Sequence, residues 1–396
     1  MKKIYGILIV CFLLCLLSNE TLAQWSLCTT PGYSPRQALA VVNDSIVFAA
    51  GNDGKVWKST DNGVTWTISY TDTTKSILGM YFLNADTGFV CGVAGKMFKT
   101  TNGGQSWTSV TSGSVVDLYD VEFVSTTTGF AVGLNGTIRK TNNGGISWSS
   151  MTSGTSSGLL AIDMVSATEG FIVGSTGMIL RTSNGTTWTQ LPSNVISSLN
   201  DVRSIDGVHV FVCGSDARFL LSDDAGATWQ ASYLDATYPD LYAIDFLNND
   251  TGMVAGQYGK LFSTNDGGAS WIPEASVTGS LLLDLKISSC NSFSAGTGGT
   301  VVRKTCGTLN ASAAEQVERI DIFPIPAVDV MNIQTDPGFA IAKLVLSDMT
   351  GLSSTIDFTS ERPGHFRIDT RKLARGTYSL TLVGNEIIRK KIILIQ

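Results

Sequence analysis

The sequence of 396 residues has few of the residue types that bind metals or carry charge. It contains two histidines, His209 and His365, and only 15% of its residues are charged. Two histidines are too few for a typical zinc site, and no Asp-x-Asp-x-Asp-Gly calcium loop occurs. We therefore expect no metal and no cofactor.

Basic residues are scarce in the larger part of the chain. Between residues 24 and 307 there are 15 Lys and Arg against 22 Asp and Glu. Nucleic acids and anionic membranes are bound mainly through Lys and Arg. The acidic balance therefore argues against both kinds of partner.

Long apolar runs are confined to the N-terminus. Lys2 and Lys3 precede an apolar run over residues 4–17, which is followed by a small-residue site ending at Ala23. A membrane-spanning helix is the alternative, but it needs about 20 apolar residues. We predict a signal peptide over residues 1–23 and no transmembrane segment in the mature chain.

Glycine is abundant, with 41 residues, and it belongs to a regular repeat. Six tryptophans recur every 40 to 42 residues, and a glycine series of the same period has seven members. No tryptophan follows the last glycine of the series at the expected distance. Trp25 instead lies 41 residues before the first of the six, at the other end of the array. This pattern predicts a seven-bladed β-propeller over residues 24–307, closed by its N-terminal strand. The series are Trp66, Trp107, Trp148, Trp188, Trp229 and Trp271, and Gly51, Gly92, Gly133, Gly174, Gly214, Gly256 and Gly296.

Each period contains four predicted strands. The second and third are joined by a turn with two glycines, Gly92 and Gly95 in the second period, where tight hairpins favour positive φ. In the fifth period Ala217 replaces the second glycine, so we expect that turn to differ. The predicted strands of the second period cover residues 78–82, 89–93, 96–100 and 106–110.

The turn between the third and fourth strands carries a motif. The segments 59–66 and 222–229 both read Ser-x-Asp-x-Gly-x-Thr-Trp, which resembles the Asp box of bacterial neuraminidase-type repeats. The Asp or Asn side chain is expected to cap N–H groups of its own turn while the Trp packs between blades. We interpret the motif as structural. Its Asp and Asn positions are Asp61, Asn102, Asn143, Asn184, Asp224 and Asp266.

The repeat region as a whole resembles the propeller family of the photosystem II assembly factors of cyanobacteria and plastids. Both have Gly-x-x-Gly followed by Thr-x-Asn-Gly-Gly-x-Ser-Trp, and the resemblance covers all seven repeats. It implies a binding platform without catalysis. The family also implies docking through an arginine-rich patch, but the arginines here fall on different blades and repeat positions, which argues against such a patch. They are Arg36, Arg139, Arg181, Arg203, Arg218 and Arg303.

The C-terminal segment resembles the type A sorting domain of type IX secretion. Its motif blocks occur in the family's order, with Pro324-Ile325-Pro326 where the family has Pro-Asn-Pro. The resemblance implies an Ig-like β-sandwich over residues 319–396, after a linker over residues 308–318. It also implies that the secretion machinery of Bacteroidetes-type bacteria recognises this domain and removes it on export. The motif residues are Pro324, Pro326, Asp329, Asp348, Gly351, Gly376, Tyr378, Lys390 and Lys391.

Catalytic motifs are weak, and we predict no catalytic residues. Residues 154–158 match the Gly-x-Ser-x-Gly elbow of hydrolases, but that elbow requires a strand, a turn and a helix. A glycoside hydrolase of the sialidase type is the alternative function, because Asp boxes occur in sialidases too. Such enzymes need three clustered arginines, and the segment around Arg36 lacks their Arg-Ile-Pro signature. Two carboxylates can hydrolyse glycosides without arginine, so this alternative stays open.

One position of the predicted innermost strands is charged in five of six aligned repeats. Charged side chains are rarely buried unless they are paired, which favours a solvated central channel with compensating charges. A ligand or cation site in the channel is the alternative. The aligned residues are Tyr81, Glu122, Asp163, Arg203, Asp245 and Lys286.

The predicted mature chain has five cysteines, which allow at most two intrachain disulfides. Cys91 and Cys213 precede repeat glycines on different blades and are predicted to be buried free thiols. Alignment places Cys290 and Cys306 at turns on the same end of the seventh blade, so we favour this pair. Cys28, on the closing strand, is the competing partner of Cys306.

These patterns together predict an all-β chain with a seven-bladed propeller and a small β-sandwich. The protein is expected to be secreted or attached to the outer cell surface and to act as a binding or adhesion module. The sequence leaves open whether the partner is a protein or a glycan.

Overall fold

The computed structural model describes residues 24–71, 74–288 and 291–305, and beyond residue 320 it describes the strands given below and Arg371. Its contacts divide the chain into two units, Met1–Thr308 and Leu309–Gln396. The predicted signal peptide and the predicted linker both lie outside the described residues.

The first unit contains seven four-stranded antiparallel sheets, which confirms the predicted propeller. The first strand of each blade contacts the first strands of both neighbouring blades, so these strands line a central channel. The closing strand is β1 (Trp25–Leu27), and blades 1 to 3 contain β2 (Arg36–Val41), β3 (Val47–Gly51), β4 (Lys55–Ser59), β5 (Thr67–Tyr70); β6 (Ile77–Phe82), β7 (Gly88–Gly92), β8 (Met97–Thr100), β9 (Thr108–Ser109); β10 (Leu118–Phe123), β11 (Gly129–Gly133), β12 (Thr137–Thr141) and β13 (Ser149–Met151). Blades 4 to 7 contain β14 (Leu159–Met164), β15 (Gly170–Gly174), β16 (Met178–Thr182), β17 (Thr189–Leu191); β18 (Leu199–Ser204), β19 (Val210–Gly214), β20 (Arg218–Ser222), β21 (Gln230–Tyr233); β22 (Leu241–Phe246), β23 (Gly252–Gly256), β24 (Leu261–Thr264), β25 (Ile272–Pro273); β26 (Leu282–Ile287), β27 (Asn291–Gly296) and β28 (Val301–Thr305).

The N-terminal strand is part of the last blade. β1 pairs antiparallel with β28, with Trp25 opposite Lys304 and Leu27 opposite Val302. It is thus the outermost strand of blade 7, beyond β26, β27 and β28. Backbone hydrogen bonds between the two ends of the repeat region therefore close the ring.

The turn between the second and third strands of a blade, called the inner turn below, has two glycines in every blade but the fifth. The two glycines are required for different reasons. Gly92 is extended, with φ −179°, and an added Cβ would lie 2.1 Å from the carbonyl oxygen of Ser76. Gly95 has φ +70° and is also close to a backbone carbonyl. Positive φ is therefore required only of the second glycine, and the first is required for close backbone approach.

The inner turn of blade 5 differs less than expected. Ala217 keeps the left-handed conformation with φ 54° although it has a Cβ. The loop packed against it contains another left-handed residue, Tyr238 with φ 53°, as the loops of blades 2 and 3 do at Gly113 and Gly154. Five of the inner turns contain short 3₁₀ segments, at Asn52–Gly54, Val93–Gly95, Ser175–Gly177, Gln257–Gly259 and Thr297–Gly299.

Strand lengths depart from the prediction at the outer edge of the blades. β9 covers only two residues, whereas residues 106–110 were expected to be extended. The Asp-box turn continues to Trp107, which leaves less chain for the fourth strand.

The core lies between neighbouring blades. The second strands of blades 1 to 6 are buried along their whole length, as in the Gly-Phe-Val-Cys-Gly strand β7. One cluster joins Phe48 and Ala50 of blade 1 to Val90 and Phe98 of blade 2. Burial on both faces explains why these strands are continuous apolar runs rather than alternating ones.

The second unit contains two four-stranded antiparallel sheets, in the orders β29-β30-β34-β33 and β32-β31-β35-β36. Phe366 and Ile368 are buried in it. Its strands are β29 (Asp321–Phe323), β30 (Val330–Gln334), β31 (Lys343–Asp348), β32 (Ser353–Ile356), β33 (Thr359–Arg362), β34 (His365–Asp369), β35 (Gly376–Val383) and β36 (Ile388–Ile395). Over the described part of the chain, no helix has the length and apolar character needed to cross a bilayer.

Candidate functional site

The five charged residues predicted to share a repeat position do meet in the central channel. Glu122, Asp163 and Arg203 lie directly opposite Phe130, Phe171 and Phe211 of their second strands, so they are structurally equivalent. With Asp245 and Lys286 they line a cavity of about 340 Å³ along the channel.

Arg203 joins three blades through two carboxylates. Its Nη1 atom lies 2.7 Å from Asp163 Oδ1 in blade 4, and its Nε atom lies 3.3 Å from Asp245 Oδ1 in blade 6. The charge of Asp163 is the main reason why the pKa of Arg203 is raised above its usual value. The cation therefore compensates two of the channel carboxylates.

The channel carboxylates also accept hydrogen bonds from the backbone of the next blade. Each bond crosses from one innermost strand to the neighbouring one, at a position about 42 residues further along the chain. The bonds run from Met164 N–H to Glu122 Oε2 (2.7 Å), from Ser204 N–H to Asp163 Oδ2 (2.6 Å) and from Ile287 N–H to Asp245 Oδ2 (2.8 Å).

A second set of carboxylates on the innermost strands, Asp120, Asp201 and Asp284, was not predicted from the sequence. They lie two residues before the charged position, in blades 3, 5 and 7, where the other blades have Ala or Gly. The same glycine alignment contains this alternation, and it could have identified them. They accept the backbone N–H groups of Ile162 (3.0 Å), Ile244 (2.9 Å) and Leu39 (2.6 Å), each in the next blade.

The channel is therefore acidic. Five carboxylates and two cations, Arg203 and Lys286, line it, and a sixth carboxylate, Asp284, has its Oδ1 atom 3.4 Å from Lys286 Nζ. Burial raises the pKa of Asp120 to about 6 and that of Asp201 to about 8. Burial also raises the pKa values of Glu122, Asp163 and Asp284. The channel consequently takes up protons as the pH falls through neutrality.

The described residues contain no group of three or more His, Cys, Asp or Glu side chains arranged to hold a metal ion.

The Asp-box side chains hydrogen-bond within their own turns. Asp61 accepts from Thr65 N–H (2.8 Å) and Val64 N–H (3.1 Å), and Thr65 Oγ1 donates to its second oxygen. The Thr65 hydroxyl and backbone bonds lower the pKa of Asp61 to about 2. Equivalent bonds are made by Asn102, Asn143, Asn184, Asp224 and Asp266.

The thiols of Cys91 and Cys213 are buried and free, as predicted. Cys28 is free as well, and its N–H bonds to Val301 O (2.8 Å), at the end of β28 remote from Thr305. The favoured pair Cys290 and Cys306 lies outside the described residues.

Five of the nine predicted sorting residues are on described strands of one sheet. Asp348 at the end of β31 lies opposite Tyr378 of β35, and Lys390 and Lys391 lie opposite Thr381 and Leu380. Gly376 begins β35. Pro324, Pro326, Asp329 and Gly351 lie outside the described residues.

Comparison with known proteins agrees with this architecture. The family model "Photosynthesis system II assembly factor YCF48" matches residues 100–196 and 186–277, and the model "Secretion system C-terminal sorting domain" matches residues 321–396. The photosystem II assembly lipoprotein Ycf48 of Synechococcus sp. (strain CC9902) is 34% identical over 91 residues, which are 22% of this chain and 27% of that protein.

Solved structures share the propeller fold. YCF48 bound to a D1 peptide has 16% identity and a TM-score of 0.60, covering 72% of this chain and 99% of its own. YCF48 from Cyanidioschyzon merolae has a TM-score of 0.61, 16% identity and the same coverage. The WD40 propeller of Doa1 reaches 0.61 at 14% identity, covering 71% of this chain and 96% of its own.

A C-terminal domain of this kind indicates secretion to the outer surface or the medium. The chain is therefore a seven-bladed propeller of the YCF48/BNR type joined to a C-terminal secretion sorting domain.

Proposed function

We propose that the propeller is a non-catalytic binding platform that is exported and works in the medium or on the outer cell surface. The proposal is supported chiefly by the hydrogen bonds that the channel carboxylates accept. All six accept a backbone N–H of the next blade, as in the 2.6 Å bond from Ser204 to Asp163. These oxygens hold neighbouring blades together, which supports a structural role over a catalytic one.

The arginines argue against the sialidase-type alternative. Among the described residues that line the channel, Arg203 is the one arginine. Arg36 is fully buried, lies 3.8 Å above the Trp57 ring and donates to Pro31 O (2.9 Å). No set of three arginines therefore converges on the described channel to bind a substrate carboxylate.

Turnover of fluorogenic sialosides and β-glycosides by the purified chain tests this choice. We expect no rate above the blank between pH 4 and pH 8. A clear rate that Glu122→Gln or Asp163→Asn abolishes would establish a glycoside hydrolase instead.

The second candidate role of the channel is binding of a small ligand. Its site would be formed by Glu122, Asp163, Arg203, Asp245 and Lys286. Alanine substitution of Glu122, Asp163 and Asp245 distinguishes the two roles. We expect these variants to lower the unfolding temperature and to leave partner binding unchanged. Lost binding of a ligand by a variant that is still folded would favour the channel site.

The partner is more consistent with a polypeptide than with a glycan. A YCF48 structure with the same fold has a D1 peptide bound. We expect a pull-down from envelope extracts to capture a protein and a glycan array to give no signal. A reproducible glycan hit with no captured protein would reverse this choice.

For export we propose a signal peptide over residues 1–23, a linker over residues 308–318 and a sorting domain over residues 319–396 whose two sheets pack as a β-sandwich. The sorting-domain match over residues 321–396 supports the last assignment. In a host with type IX secretion, the full chain should reach the surface or medium, and a chain ending at residue 318 should stay in the periplasm. Export of the shortened chain would contradict the proposal.

A further inference from the structure

One position on the third strands holds neighbouring blades together through a cation. It lies opposite a second-strand phenylalanine, and four of its residues donate to an Asp-box carbonyl of the following blade. The three lysine Nζ atoms also lie 5.1 to 5.2 Å from the centre of that phenylalanine ring. The four bonds are Lys58 Nζ to Gly103 O (2.9 Å), Lys99 Nζ to Gly144 O (2.9 Å), Lys140 Nζ to Gly185 O (2.7 Å) and Arg303 Nη1 to Asn62 O.

Blade 5 has Leu221 at this position, opposite Phe211. The corresponding box carbonyl on blade 6 is that of Gly267, and no side chain in the described part of the chain donates to it. A cavity of about 500 Å³ lies here between blades 5 and 6, lined by Phe211, Phe219, Leu221 and Gly267 among others. The ring and the carbonyl acceptor are thus present, and the cation is missing.

The negative charge around this cavity favours binding of a cation. Asp223, Asp250 and Asp266 line it, and none of the three forms an ion pair within the described residues. The boxes that receive Lys58, Lys99 and Lys140 carry a neutral Asn where this box carries Asp266. His209 also lines the cavity, and its Nδ1 atom lies 2.6 Å from Asp206 Oδ2.

An extended polypeptide can reach the cavity along β21. This strand is the outermost of blade 5, all four of its residues are exposed, and Gln230, Ala231 and Ser232 line the cavity. Its outer edge therefore offers backbone groups with which a partner chain can pair.

We propose that the groove between blades 5 and 6 receives a lysine side chain of a partner polypeptide. The ammonium takes the place that Lys58, Lys99 and Lys140 occupy at other junctions, on the Gly267 carbonyl and near the Phe211 ring. Attraction to the ring and to three carboxylates favours the charged side chain over a neutral one of similar length. The inference rests on the proposed platform function and names the partner chemistry of one groove.

The probe is a capped pentapeptide, Ser-Gly-Lys-Gly-Ser, titrated into the full chain and followed by saturation-transfer NMR. The peptide with Gln in place of Lys and n-butylammonium serve as comparison ligands. We expect the lysine peptide to bind about tenfold more tightly than either of them. Leu221→Lys supplies the missing cation from the chain itself, so it should raise the unfolding temperature and weaken peptide binding about tenfold or more. Leu221→Met is the matched control and should bind as the natural chain does.

Several results would overturn the proposal. They are undiminished peptide binding by a folded Leu221→Lys variant, equal binding of the Lys and Gln peptides, or no binding by the natural chain. Binding of n-butylammonium as tight as that of the peptide would overturn the polypeptide assignment. If Leu221→Lys does not fold, Asp250→Asn replaces it, and binding as tight as that of the natural chain would count against the proposal. Capture of the same envelope protein by natural and Leu221→Lys chains would leave the platform function standing and remove this groove from it.

Discussion

Asp201 is a channel carboxylate whose ionisation opposes folding, and Asp201→Asn removes that ionisation. Its oxygens accept the N–H groups of Ile244 and Val202, both at 2.9 Å. Burial raises its pKa from the ordinary 3.8 to about 8. Because the folded pKa is the higher one, the folded state binds more protons between these values. The free energy of unfolding therefore falls as the pH rises through this window.

The size of the effect follows from proton linkage. Between pH 5 and pH 7 an unfolded Asp201 is ionised while the folded one keeps most of its proton. The slope is then about 1.4 kcal/mol per pH unit, or roughly 2–3 kcal/mol over the interval. Asp201 is only partly buried by accessible surface, which lowers this figure, and we expect a loss of about 1–3 kcal/mol. Asparagine does not titrate, and its amide leaves one backbone N–H without an acceptor, which costs about 1 kcal/mol at every pH.

Urea unfolding followed by tryptophan fluorescence at pH 5, 6 and 7 measures the slope. The natural chain should lose stability across this range, and Asp201→Asn should lose less. Asp216→Asn, an exposed position on the same blade, is the control and should keep the natural slope. The reasoning is refuted if the natural chain gains stability from pH 5 to pH 7, or if Asp201→Asn has the same slope.

Three further outcomes are expected. Ala217→Gly relieves a positive φ of 54° and should stabilise the chain by about 1 kcal/mol in thermal unfolding, where no change would count against strain at this turn. Gly136→Ala should cost about 3 kcal/mol in the same assay, because its Cβ would lie 2.0 Å from the Thr155 carbonyl oxygen, and a neutral result would contradict the close approach. Non-reducing peptide mapping of the exported protein should give a Cys290–Cys306 peptide, and five free thiols or a bridge from Cys28 would contradict the pairing.

The number of blades, the Asp-box turns and the charged channel position could all be predicted from the amino-acid sequence. These features depend on a period of about 41 residues and on turns whose hydrogen bonds are local, as Asp61 illustrates with Thr65. Local geometry of this kind is encoded within a few residues and needs no knowledge of the neighbouring blade.

The contacts of the charged residues could not be predicted in this way, because they depend on how the blades pack in three dimensions. Asp163 meets Arg203 and Ser204, about 40 residues away, only because ring closure brings neighbouring first strands together. The missing cation at Leu221 likewise cannot be recognised from one repeat, because the carbonyl that would accept its hydrogen bond belongs to the next blade. Contacts between blades depend on how the repeats pack, and a linear period specifies the positions of the residues without specifying their partners.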